Sequence, residues 1–166
     1  MTLSRFASKT RPVTSSEFDA ALDALVLASR AVVGIAARTL PDGADVSLVQ
    51  LRALVLLERG PLKAGTLAEL LNVSPSTVTG LCDRLTARGL VERSLAADNR
   101  REVVVRLSSG GKALVDEAIA ARRLEMARIL EKIPTAQLQG MVDALCAFIE
   151  AAGESPEQAW SSGWRS

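Results

Sequence analysis

The 166-residue sequence predicts a mainly α-helical protein carrying one small β-wing. Three observations lead there. Apolar residues recur at helical steps of three and four over most of the chain, capping residues mark several helix starts and stops, and two β-branched runs interrupt the pattern. A chain of this length forms one domain or two closely joined parts and can bury a real core.

From Glu17 to Arg38, the residues Phe18, Leu22, Leu25, Ser29, Val32 and Ala36 fall on one helical stripe, which the sequence LPDG at 40–43 breaks. A second helix starts behind Ser47 as N-cap and runs through LVQLRALVLLE until Arg59-Gly60-Pro61 stops it. A third covers roughly Ala64 to Leu71. The fourth has unusually legible limits: Ser74 caps it, Pro75 suits its first position because the missing N–H costs nothing there, and Gly89 takes the left-handed conformation that ends it. Its Val78, Leu81, Cys82 and Leu85 lie on one side for packing, while Ser76, Thr77, Thr79, Gly80, Asp83 and Arg84 occupy the other faces.

LVERSL at 90–95 and EVVVRL at 102–107 read as the two strands of a hairpin with AADNRR at its tip. A long helix follows from Ser108 to about Leu130 and stops before Pro134. A last helix runs from near Thr135 to Gly153 with Leu138, Met141, Leu145, Phe148 and Ile149 on one stripe. Residues 1–16 read as a flexible, mildly basic arm without the continuous apolar core of a signal peptide. The tail 154–166 contains Trp160 and Trp164, which are expected to cover apolar surface, with ligand stacking as the alternative.

No run of about 18 uncharged apolar residues is present, so no membrane segment is expected. Cys82 and Cys146, both in apolar helical settings, suit reduced thiols of the cytoplasm and packing in a core or dimer seam rather than a disulfide framework. Residues 52–106 carry nine Lys/Arg against six Asp/Glu, whereas the whole chain has a net charge of +1. This local excess suits a phosphate-facing surface. The chain has no His and no Tyr, neither Cys has an activating base, and no carboxylate cluster suggests a metal site. Catalysis, metals and cofactors are therefore not expected. GGKA at 110–113 resembles a phosphate loop only superficially, because Arg106 stands where the first Gly belongs and Ala113 replaces Ser/Thr.

Helix, turn, helix and then a hairpin with a basic tip is a winged helix-turn-helix. A rigid helix bearing short polar side chains fits a major groove, and a basic hairpin reaches phosphates or the adjacent minor groove. Double-stranded DNA is the expected partner. Each candidate also has a plainer use: Ser74 caps its helix, Ser76, Thr77 and Thr79 are solvated surface, Arg100 and Arg101 are solvated turn charges, and Arg84 forms a local surface pair with Asp83.

LAELLNVSPSTVTGLCDRLTARGLVER, the DNR wing tip and the RLSSGGKAL start of the next helix together resemble the MarR family of bacterial transcription regulators, over about residues 46–115. The resemblance implies a helical dimerisation region at 17–45 and 108–153, a winged helix-turn-helix DNA-binding domain at 46–107, and a homodimer on a pseudo-palindromic operator. It also implies a small aromatic or phenolic effector bound between the two regions, most often relieving repression. The family pattern makes Ser74, Ser76, Thr77 and Thr79 DNA contacts of the recognition helix, pairs Asp98 with Arg100 at the wing tip, and has Arg84 support or contact the backbone. Gly80 departs from that pattern, since similar proteins often carry Arg or Lys there. Either direct base readout is weaker, or the wing and DNA shape carry more of the specificity. Arg30 and Arg52 are candidates to meet an anionic effector, with a salt bridge as the competing use. The rival reading is a winged-helix module that binds protein partners without specific DNA binding.

Overall fold

The computed structural model describes residues 14–41, 43, 45–95 and 102–153. Asp98, Arg100, Arg101, Trp160 and Trp164 lie outside the described residues. The chain divides into two compact units, Met1–Arg38 and Thr39–Ser166.

The first unit contains α1 (Ser15–Arg38). It begins two residues before the point the apolar periodicity predicts. Thr14 and Glu17 form a reciprocal cap, in which the Glu17 N–H donates to Thr14 Oγ1 at 3.3 Å and the Thr14 N–H donates to Glu17 Oε2 at 3.0 Å. Ser15 and Ser16 thus belong to the helix rather than to the arm. Phe18, Leu22, Val26, Leu27, Val32 and Val33 are all exposed. One expectation needs amending: by length and composition alone, α1 is apolar enough to cross a membrane, its most apolar 18-residue stretch having a mean hydropathy of 1.8. Any 18-residue stretch of it contains Asp23 and Arg30, and a charge at a bilayer centre costs about 2.5–3.5 kcal/mol.

The second unit opens with α2 (Leu48–Leu57). Ser47 and Gln50 cap it reciprocally: the Gln50 N–H donates to Ser47 Oγ at 3.2 Å, and the Ser47 N–H donates to Gln50 Oε1 at 2.8 Å. The cap explains why the polar Gln50 is buried. α3 (Ala64–Leu71) ends on Asn72, whose φ of 53° places it in the left-handed region. α4 (Pro75–Ala87) follows, and Gly89, at φ 69°, turns the chain toward the sheet. Beyond the sheet come α5 (Ser109–Leu130) and α6 (Thr135–Ala151).

The hairpin is part of a larger sheet than the sequence predicts. β1 (Leu62–Lys63), β2 (Val91–Leu95) and β3 (Val103–Leu107) are antiparallel in the order β1-β3-β2. Leu62 pairs with Val105 and Val91 with Leu107, and the wing strands run out to the pair Leu95–Val103. β1 escapes periodicity because two residues carry no alternation; it exists only through its pairing with β3.

Leu54, Leu57, Leu67, Val78, Leu85, Val105 and Val115 are fully buried and join α2, α3, α4, α5 and the sheet in one cluster. Each leucine contributes on the order of 1.5–3 kcal/mol. α5 is fastened to this cluster at its first turn. Ser108 Oγ donates to the Gly89 carbonyl at 2.6 Å and accepts the Gly111 N–H at 2.9 Å, while the Ser108 N–H donates to the Leu90 carbonyl at 3.1 Å. A side chain on Gly111 would overlap the Leu90 carbonyl oxygen and lie 2.8 Å from Leu107 Cδ1. Gly111 therefore serves close packing.

Gly111→Ala should lower the unfolding free energy by at least about 1–3 kcal/mol, the usual cost of overpacking. Gly140→Ala on α6, where an added Cβ meets nothing within 4 Å, should instead add roughly 0.5–1 kcal/mol. Urea titration of the two variants checks the contrast.

Candidate nucleic-acid interface

α4 divides into two faces. Val78, Leu81, Cys82 and Leu85 are buried, as the sequence spacing predicts, while Ser74, Ser76, Thr77, Thr79, Asp83 and Arg84 are exposed. The N-terminal hydroxyls are linked to one another. Ser74 Oγ accepts the Thr77 N–H at 3.2 Å and is hydrogen-bonded to Ser76 Oγ at 2.9 Å and to Thr77 Oγ1 at 2.8 Å. Ser74 is thus both the helix cap and the hub of a hydroxyl cluster. Thr79 Oγ1 donates to the Pro75 carbonyl at 3.0 Å.

Asp83 does not pair with Arg84. Its carboxylate forms an ion pair with Arg93 on β2, ten residues on, which ties the helix to the root of the wing. Arg84 has no ion pair or hydrogen bond among the described residues. Its guanidinium lies back along the helix, with Nη1 3.7 Å from where a side chain at Gly80 would begin. A glycine inside a helix costs about 1 kcal/mol relative to alanine, and this one leaves open the space beside the guanidinium.

At the sheet, Lys63 Nζ lies 2.6 Å from Glu102 Oε2, joining β1 to the residue just before β3. The candidate wing residues Asp98, Arg100 and Arg101 fall between β2 and β3, outside the described residues. Arg30 is exposed on α1 and Arg52 is exposed on α2. Sequence reasoning passed over two further arginines. Arg93 holds Asp83, and Arg88 donates to the Asp45 carbonyl and lies 3.8 Å from the Asp45 carboxylate. Arg84 and Arg88, one turn apart, line an open cleft of about 720 Å³ with Ser47 and Gln50 at the start of α2. The RLTAR spacing was the available signal, but the partner residues lie some forty positions away.

The two thiols differ. Burial pushes the Cys82 thiol above its ordinary pKa; the nearby Arg93 charge opposes this and Asp83 adds to it. Cys146 is exposed on α6 rather than buried in the core.

The sequence model of the MarR family matches residues 44–102. An uncharacterized HTH-type transcriptional regulator of Bacillus subtilis, YfiV, is 35% identical over 108 residues, which span 64% of this chain and 68% of the relative. The crystal structure of RV1404 from Mycobacterium tuberculosis superposes with a TM-score of 0.77 at 38% identity, covering 86% of this chain and 97% of that one. Bordetella bronchiseptica BpsR, whose DNA binding is regulated by 6-hydroxynicotinic acid, superposes with a TM-score of 0.59 at 27% identity, covering 83% of this chain and 97% of that one.

In native protein at pH 8, Cys82 should resist iodoacetamide, because both its burial and its raised pKa keep the reactive thiolate scarce. In urea it should react as an ordinary thiol. Peptide mass mapping of the adducts checks this; rapid native modification of Cys82 would contradict the buried face of α4.

Proposed function

The chain belongs to the MarR family of winged helix-turn-helix transcription regulators, and from that premise we propose that it acts in the cytoplasm as a homodimeric, ligand-responsive repressor on a pseudo-palindromic operator. The observation that carries the reading is the face of α4, on which Ser76, Thr77, Thr79 and Arg84 stand exposed while the opposite face anchors the helix in the core. Such a face can enter a major groove without disturbing the lobe that holds it. Ser74, Ser76, Thr77, Thr79 and Arg84 are assigned to the groove. Asp98, Arg100 and Arg101 are assigned to the wing contact with phosphate or the minor groove.

The dimerisation region is assigned to residues 17–45 and 108–153. No α6 residue is buried, and Met141, Val142, Leu145 and Phe148 remain exposed. Apolar surface of this extent on a soluble helix calls for a protein partner. A second copy satisfies that need symmetrically and sets the two α4 helices about 34 Å apart, one turn of the duplex. For the effector, assigned here as a small aromatic or phenolic molecule, BpsR supplies the support: its DNA binding is regulated by 6-hydroxynicotinic acid, which is a small aromatic acid, and Arg30 and Arg52 are the candidate anion contacts. Effector binding would alter the spacing of the recognition helices and so release the operator.

A mobility-shift assay on the DNA upstream of the protein's own gene tests the reading, with specific retardation expected at an inverted repeat. Retention of a protein partner without any preference among duplexes would replace the regulator with an interaction module. Leu145→Glu should place two symmetry-related charges at the seam and weaken dimer and DNA binding together, as read by sedimentation and by the same assay. Arg100→Ala should weaken operator and random DNA alike, lowering the salt-dependence slope by about one unit per lost phosphate contact in each subunit.

A further inference from the structure

The hydroxyls of α4 differ in whether their polarity can reverse. In the Ser74 cluster, Ser74 Oγ has one proton and two lone pairs. One lone pair accepts the Thr77 N–H, so one neighbouring hydroxyl must donate to Ser74 and the other accept from it. Reversing that direction costs only a rotation of O–H bonds, and in either direction one proton, on Ser76 or on Thr77, remains free to point outward. This cluster can face a donor or an acceptor and discriminates weakly between them.

Thr79 has no such choice. Its partner is the Pro75 carbonyl at 3.0 Å, and a carbonyl oxygen only accepts, so the Thr79 proton is directed inward. The exposed side chain therefore offers the groove its two lone pairs and its methyl group. Adenine N6 and cytosine N4 are the hydrogen-bond donors of the major groove, whereas guanine N7 and O6 and thymine O4 are acceptors. An acceptor set against an acceptor leaves both unsatisfied.

Resting on the assignment of α4 to the major groove, we propose that Thr79 reads each half-site as a hydrogen-bond acceptor, selecting an exocyclic amino group, so that adenine or cytosine is preferred to guanine or thymine on the strand it faces. The preference is for a chemical class of base edge rather than for one base.

In vitro selection of random duplexes by the full-length wild type, Thr79→Val and Thr79→Ser tests this. Valine keeps the shape and the methyl and removes the hydroxyl; serine keeps the hydroxyl and removes the methyl. The wild type should select a symmetric motif with one amino-bearing position per half-site, favoured roughly tenfold or more. Thr79→Val should bring that position toward indifference while leaving the other positions unchanged, and Thr79→Ser should retain the preference. Replacing the selected amino group by hydrogen in a synthetic operator should weaken the wild type by a similar factor and leave Thr79→Val unaffected. A motif that Thr79→Val does not alter would overturn the proposal while leaving the regulator intact. So would a thymine preference kept by valine and lost in serine, which would mark a methyl contact. Selection of no motif by the wild type would remove both.

Discussion

The close approach of the first turn of α5 to the Leu90 carbonyl is the contact on which the geometry of the DNA-binding lobe depends. At this point the end of α4, the start of β2, the end of β3 and a long helix meet within one residue's width. Only a glycine at 111 permits it, and Ser108 completes it by bonding both Gly89 and Gly111. Because the chain leaves α4 through Gly89 and Leu90, any loosening here would tilt α4 against the sheet and disturb the wing at the same time. The Asp83–Arg93 pair repeats the connection one turn before the end of α4. Helix and wing root therefore move together, which suits the simultaneous groove and phosphate contacts proposed for this surface.

The polar groups of that surface are preorganised in the free protein. Ser74 and Thr79 are already hydrogen-bonded to their own helix, so these side chains are held in place without a ligand. Arg84 stands apart, a long cation resting over Gly80 with no described partner. The departure at Gly80 thus acquires a local physical meaning. Where similar proteins often carry a long basic side chain, this chain has an open position with a guanidinium from the next turn beside it.

Most of the architecture was legible because it is written in local chemistry. The caps at Ser47 and Ser74, the proline at 75 and the glycine at 89 act within a few residues of where they stand, so each could be read without knowing the fold. What escaped depends on distant residues. β1 is two residues long and is a strand only because β3 lies beside it. Asp83 was read with its sequence neighbour Arg84, whereas the fold pairs it with Arg93. The start of α1 is a different kind of miss, since Thr14-x-x-Glu17 is a local signal that apolar periodicity alone overlooks. For the interface, the exposed hydroxyl face was readable from helical spacing. The inward direction of the Thr79 proton was not, because a sequence position does not say which way a hydroxyl points.

α6 adds no buried residue to its own lobe, and the consequence is one of concentration. A helix secured by association gains apparent stability as copies become more abundant, by ordinary mass action. Under the proposed assembly, two half-sites on one duplex would hold a pair of subunits at high effective concentration even when the free protein is scarce. The operator would then protect the fold as well as receive it. Degradation of the locally opened state, which tracks its population, would fall chiefly on molecules that have left the DNA, so that release of the operator and loss of the regulator would become linked in time.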